Sequence, residues 1–392
     1  MAARPPDQPP SVADRAEVRR LLLAFGVGCF ASALGTRLLD PLMPQVGVEF
    51  LTDPRTTALL ATAFALPYAL IQPILGPIGD ALGKRRVIGW CLLALAAATM
   101  LCALAPGFWS LFAARILAGA AAGGVFPLTL AVFGDRVPLG QRQVAISRLL
   151  MFAILGQISG GLLAATLGPL AGWRGVMMVA AVASVIGWAA MRGGPRVAAQ
   201  PLRFGQAFAQ TGQILGNPAA RLLFGAVFAE GCLIFGMFPY LAPIMVERGI
   251  GGTVEAGIAI AAFGCGGFLY TLLAAPGLRA IGQSGLLLLG AGLIAGALLA
   301  VGLAQASVVV IAAAVALGLG FFAVHGSIQT RVTEVAPHAR GSAVSMHAFW
   351  FFLGQSLGPA AFGLAAGGVG VLATLTVCAA GILVLGVLLA RR

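Results

Sequence analysis

Of the 392 residues, 60% are hydrophobic and only 9% charged, and a water-soluble globule of that size would have too little polar side chain to cover its surface. The formal charge of +12 does not mark a nucleic-acid-binding protein. Most basic residues fall in alternate gaps between long apolar runs, the pattern of helix ends lying against an anionic cytoplasmic leaflet.

Residues 1–20, with the run Pro5-Pro6-Asp7-Gln8-Pro9-Pro10, lack the apolar core of a signal peptide and read as a short disordered cytoplasmic arm. Crossing the hydrocarbon takes about 20 apolar residues. Such runs lie near 21–43, 55–75, 87–105, 109–133, 144–167 and 175–191, and again near 219–240, 255–275, 285–305, 308–328, 342–364 and 371–390. Twelve spans place both termini on the basic, cytoplasmic side. The polar stretch 192–217 is the expected linker between a first six-helix bundle, 21–191, and a second, 218–392; Phe204, Phe208 and Leu215 suit either a helix lying on the membrane surface or a plain connector. An all-α integral membrane protein of two pseudo-symmetric six-helix bundles is the predicted fold.

A charge at mid-membrane costs on the order of 2.5–3.5 kcal/mol on insertion scales, so each one needs a reason. In the first span Arg37 and Asp40 are three apart and share a face near its outer end, as a headgroup pair or as a functional one. Tyr68 and Gln72 in the second span are four apart and suit a cavity wall. Arg115 lies about two turns into the fourth span, deeper than easy snorkelling allows, with Asp40 its expected partner. Glu230 lies near the centre of the seventh span, where a carboxyl is either a proton carrier or a structural acid bonded to a neighbouring helix. His325 and His347, in the tenth and eleventh spans, read as helix–helix hydrogen-bond partners or as relay sites, and Gln157 and Gln355 as cavity residues or polar glue.

The six cysteines all sit in apolar runs without a CxxC pair, and the three histidines are scattered. Neither disulfides, metal ligands nor a cofactor site follow, and no HExxH or GxSxG constellation suggests an enzyme.

The two halves repeat one another. Gly156-Gln157 and Gly160 recur 198 residues later as Gly354-Gln355 and Gly358, and Ala145 and Ser147 recur as Ala343 and Ser345. The loop after the second span reads Gly76-Pro77-Ile78-Gly79-Asp80-Ala81-Leu82-Gly83-Lys84-Arg85-Arg86, the first span holds Leu34-Gly35 and Pro41-Leu42-Met43-Pro44, and the fourth holds Leu111, Arg115 and Gly119 at four-residue spacing. These three motifs resemble those of the major facilitator superfamily, in its twelve-helix drug:proton antiporter branch. Two positions depart from that branch: Lys84 stands where Arg is frequent, and Gly161 stands where the fifth-span motif has proline.

The resemblance implies a latch at the cytoplasmic ends of the halves, built on Gly76, Asp80, Gly83, Lys84, Arg85 and Asp135, and a cavity-facing Arg115 that assists proton release. It implies efflux of a small amphipathic compound or drug by alternating access, and with the intramembrane charges Glu230, Asp40 and Arg115 as the expected proton couplers the efflux is expected to be proton-coupled. Arg37, Tyr68, Gln72, Gln157, Gln355, His325 and His347 would line the substrate cavity. Uptake of a small metabolite by symport or facilitated diffusion is the alternative, and a scaffold or sensor a third. The expected setting is the bacterial inner membrane, with the chain a monomer whose partners are its substrate, protons and lipid.

Overall fold

The structure, a computed structural model, describes residues 12–137, 139–192, 212–335 and 340–391. Most of the expected arm and linker, with Phe204 and Phe208, lies outside the described residues. Among those described there is no strand. The helices are α1 (Val12–Arg37), α2 (Met43–Phe50), α3 (Pro54–Leu82), α4 (Lys84–Ala103), α5 (Phe108–Ala122), α6 (Val125–Arg136), α7 (Leu139–Arg192), α8 (Pro218–Phe235), α9 (Leu241–Glu247), α10 (Thr253–Leu303), α11 (Ser307–Val335), α12 (Arg340–Val369) and α13 (Val371–Ala390). Helix α1 begins inside the stretch expected as an arm. Ala16, Glu17, Val18, Arg19 and Arg20 are acceptable helix formers, and Glu17 meets Arg136 at 3.7 Å.

Ten helices among the described residues are long and apolar enough to cross a membrane. Two of them, α7 and α10, run for 54 and 51 residues. At 1.5 Å per residue each would reach roughly 75–80 Å, more than twice the hydrocarbon thickness. Each instead reverses at one glycine, Gly172 (φ 64°, ψ 177°) and Gly282 (φ 68°, ψ 178°), a conformation that a Cβ disfavours. Each is therefore two crossings, which makes twelve in all, at the positions that hydropathy predicts. Gly83 (φ 91°) and Gly370 (φ 86°) make the matching reversals between second and third and between eleventh and twelfth spans.

The duplication is structural as well as sequential. The first and seventh spans both break into a short 3-10 turn, at Asp40–Leu42 and Phe238–Tyr240. A Cβ on Gly160 would lie 2.6 Å from the Leu34 carbonyl oxygen, and one on Gly358 would lie 2.7 Å from that of Cys232. Gly156 faces Phe30 and Gly354 faces Phe228 in the same way. In each half these glycines let the fifth or eleventh span lie directly on the first or seventh, the close backbone packing that substitutes for a hydrophobic drive in lipid. One large apolar core fills the second half, centred on Phe224, Val227, Leu287 and Ile294, while smaller cores around Leu38 and Leu42 and around Phe25 and Phe133 fill the first.

One face of the molecule carries Lys84, Gly282 and Arg331, and is called the basic face below. The opposite face carries Asp53, Gly172 and Gly370. Its three arginines, which break the charge alternation, are held at helix ends. Arg174 donates to the Ala103 and Ala105 carbonyls at 2.7 and 2.9 Å and to Glu49; Arg248 donates to the Val301 carbonyl at 2.9 Å. Arg55 lies against Gly363 and Gly367 of α12.

Asp53 caps α3, accepting from the Arg55 and Thr56 amides at 2.9 and 3.2 Å and from the Thr56 hydroxyl at 2.5 Å. The Thr56 hydrogen bond, more than any other cause, holds this carboxyl below its usual range. A lowered folded value means that the cap stabilises above the ordinary carboxylate range and is lost as pH falls through the folded value. Asp53→Ala is expected to cost about 1 kcal/mol locally, measured as several-fold faster amide exchange at Thr56 and Thr57.

Candidate functional site

The contacts joining the halves run from the opposite face to mid-depth. The Thr62 hydroxyl donates to the Ser356 carbonyl at 2.6 Å, Gly161 meets Gly257, and Tyr68 lies against Phe352 with ring centroids 4.1 Å apart. On the basic side of that line Leu70, Ile74, Leu272 and Leu273 are exposed. The halves are thus sealed against each other on the side of the opposite face. A void of about 10 Å³ bounded by Thr36, Arg37, Phe64, Phe352 and Gln355 is what the seal leaves at the centre, room for about one water.

Arg37 sits in this seal. Its Nη1 is 3.3 Å from Asp40 Oδ2, its Nη2 donates to Gln355 Oε1 at 2.5 Å across the two halves, and its guanidinium lies 4.5 Å from the Phe235 ring centre. Phe235 and Phe238 are the residues of the second half that stand 198 positions from Arg37 and Asp40. The charged pair of one half therefore rests on its own apolar counterparts in the other. Asp40 is only 1% exposed and Arg37 7%, which rules out the headgroup pair that the sequence also permits. The break in the first span turns both side chains inward.

Arg115 is buried as well and feels the charge of Asp40, but its hydrogen bond goes elsewhere. Its Nε donates to the Leu60 carbonyl at 3.2 Å and its guanidinium lies 4.3 Å from the Phe64 ring centre, because the fourth span packs on the second rather than on the first-span turn. The two Asp40 carboxyl oxygens differ: Oδ2 faces Arg37, while Oδ1 is buried without a hydrogen-bond partner.

In the second half, Glu230 is fully enclosed. Its Oε2 lies 2.8 Å from His325 Nδ1, and His325 Nε2 lies 3.2 Å from His347 Nε2. Three residues from three spans form one hydrogen-bonded chain. Phe321 and Phe351 flank it, with ring centres 5.0 and 4.6 Å from that of His325. Buried atoms without a hydrogen-bond partner lie at both ends, Glu230 Oε1 and His347 Nδ1. The sequence places all three residues in spans of one half but gives no sign that they touch. The only available signal is that two of the chain's three histidines fall in spans of the half that holds Glu230.

The remaining expected cavity residues divide. Tyr68 and Gln355 join the central seal. Gln72 is buried with both amide atoms lacking a partner. Gln157 is partly buried between the two packing glycines of the fifth span. Of the expected latch, Lys84 Nζ meets Asp135 Oδ2 at 2.8 Å, Gly83 makes the reversal, and Arg85 donates to the Arg192 carbonyl at 2.5 Å. Gly76 and Asp80 fall within α3, but the Asp80 side chain lies outside the described residues.

A chain that holds charges at mid-membrane between two matched halves sealed on one face moves solutes across the bilayer and does not transform them. It is an integral membrane transporter of the alternating-access kind. The chain belongs to the Major Facilitator Superfamily, whose family model matches residues 25–359. It is 26% identical over 375 residues to the uncharacterized MFS-type transporter YwfA of Bacillus subtilis (strain 168), covering 94% of this chain and 90% of that one. It is 26% identical over 353 residues to the inner membrane transport protein YdhP of Escherichia coli (strain K12), covering 87% of each. Among solved structures it resembles a bacterial homolog of the human lysosomal transporter Spinster, in an inward-facing and occupied conformation, with a TM-score of 0.73, 19% identity and 98% of each chain covered.

Proposed function

We propose that this transporter is a proton-coupled exporter of a small amphipathic compound, embedded in a bacterial inner membrane with its basic face and both termini cytoplasmic. Glu230 is the observation that carries the reading. A carboxyl fully enclosed at mid-membrane and hydrogen-bonded to an imidazole at 2.8 Å has no packing role that an apolar residue would not fill better, and reversible protonation is the use that such a group supports. The charge alternation favours a cytoplasmic basic face, and the seal on the opposite face supports reading the conformation described here as inward-facing. Asp40, beside Arg37 and in the same region as Arg115, is a second proton site at the seal. The Lys84–Asp135 pair belongs to the latch that would close the cytoplasmic side, and one chain suffices because it encloses its own path.

Proton binding would favour one facing state and substrate the other, the differential affinity that exchange requires. The test is accumulation of a panel of lipophilic dyes by inverted vesicles under an imposed proton gradient. Uptake that depends on the gradient and is lost in Glu230→Gln supports export; if Glu230→Gln and Asp40→Asn both transport at the wild-type rate, the coupling assignment fails. Uptake in the cell is the competing reading, and Gly161 in place of the antiporter branch's proline is what favours it. The direction in which intact cells accumulate the same dyes separates the two.

A further inference from the structure

Building on Glu230 as the proton carrier, we infer that His325 and His347 are a proton wire that joins it to the basic face, with His347 Nδ1 as the end through which protons come and go. The three groups descend toward the basic face. Counting along each helix at 1.5 Å per residue, Glu230 lies roughly 18 Å beyond the start of α8, His325 roughly 15 Å before the end of α11, and His347 roughly 10 Å beyond the start of α12. These three helix ends all lie on the basic face, so the chain is a graded path from mid-membrane toward it.

The hydrogen bonds fix which protons are where. With Glu230 ionised, His325 Nδ1–H donates to Oε2, His325 Nε2 is bare and accepts from His347 Nε2–H, and His347 Nδ1 is bare. That last atom is the one the structure leaves buried without a partner. A proton arriving at His347 Nδ1 makes an imidazolium; its Nε2 proton passes to His325 Nε2, and the His325 Nδ1 proton passes to Glu230. The result is a neutral carboxylic acid donating to His325 Nδ1, His325 Nε2–H donating to His347 Nε2, and His347 Nδ1–H. One proton has entered, one carboxylate has been neutralised, and every hydrogen bond persists with its direction reversed. No heavy atom has to move along the way. The same steps in reverse carry the Glu230 proton to the basic face, the direction that proton-driven export requires; once Glu230 is reloaded from the opposite face, each ring must exchange its two nitrogens to reset the wire.

The nearest titratable group on the eighth span is Tyr270, whose hydroxyl would lie 3.5 Å from a Cβ on Gly326, beside His325. Among the described residues His325 is the one basic side chain within ion-pair distance of Glu230, and the rings around the imidazoles are Phe321 and Phe351. The neighbouring titratable side chains on the seventh and twelfth spans are the thiols of Cys232 and Cys378. Arg37 lies on Phe235, in the seal between the halves.

The experiment needs only protons as the probe. The full chain in lipid nanodiscs is taken through a pH jump while the infrared stretch of the protonated carboxyl is followed, the Glu230 band being identified by its loss in Glu230→Gln. Its rate of appearance is expected to fall about a hundredfold in His347→Ala, and imidazole added to the solution is expected to restore much of that rate, which a merely structural role of His347 would not do. His347→Gln, which keeps a hydrogen bond to His325 but cannot relay, should be as slow as His347→Ala, and thermal unfolding of both shows that the fold is retained. A wild-type rate in either variant overturns the wire and leaves Glu230 as the carrier. If no band in the wild type depends on Glu230, the proton-carrier reading itself is what has failed.

Discussion

Gly161→Leu is expected to abolish transport by holding the molecule open on the face opposite the basic one. Gly161 and Gly257, from the fifth and eighth spans, lie backbone to backbone in the seal. A Cβ on Gly161 would be 2.6 Å from the Gly257 carbonyl oxygen and 2.8 Å from the Ala261 amide nitrogen; one on Gly257 would be 2.6 Å from the Gly161 carbonyl oxygen and 2.9 Å from the Ala165 amide nitrogen. These neighbours are main chain in two long helices and cannot turn aside as a side-chain tip does. Overpacking of this kind costs about 1–3 kcal/mol or more, and here it burdens only the conformation in which the two spans touch. A bias of about 3 kcal/mol moves a two-state equilibrium more than a hundredfold. A cysteine at Thr36, beside the central void, should then react with a polar thiol reagent supplied from the Asp53 side. Wild-type transport with no such labelling would show that the contact does not gate.

Asp40→Asn is expected to destabilise the protein more than replacing Arg37 and Asp40 together. Removing one member of a buried ion pair strands the other charge and costs about 3–5 kcal/mol, whereas replacing both with apolar residues is often near neutral. Arg37 keeps Gln355 and two aromatic rings after the substitution, but none of them supplies a negative charge, and Arg115 adds a second cation to the same region. At a few degrees per kcal/mol for a chain of this size, the single variant should unfold roughly 10 °C lower. The double variant Arg37→Leu with Asp40→Leu should recover most of that difference. Equal unfolding temperatures for the two would mean that the pair contributes nothing as a unit.

Much of this architecture is visible in hydropathy and charge, because a bilayer imposes one simple rule: apolar length where the chain crosses and basic residues where it emerges. The turn glycines Gly172 and Gly282 fall in the short gaps predicted between spans, and the Arg37–Asp40 pair follows from a three-residue spacing on one helix. What the sequence does not reveal is how each helix is rotated about its own axis. That rotation brings His325 and His347 to Glu230, turns Arg115 to the Leu60 carbonyl instead of Asp40, and points Arg37 at Gln355. Each of those contacts joins different spans, and many packings satisfy the same hydropathy. The Gly156–Gly160 repeat reads in sequence as a sign of duplication; in the fold it seats the fifth span on the first.

The central claim is that protonation of Glu230 sets which face is open, and distances between spin labels test it most directly. In a chain whose six cysteines are replaced by serine, one pair of labels at Asp53 and Gly368 spans the sealed face and another at Leu82 and Glu334 spans the basic one. Shifting the pH is expected to lengthen one distance as it shortens the other, and Glu230→Gln is expected to fix both at the values of the protonated state at every pH. Distances that still respond to pH in Glu230→Gln as they do in the wild type would contradict it.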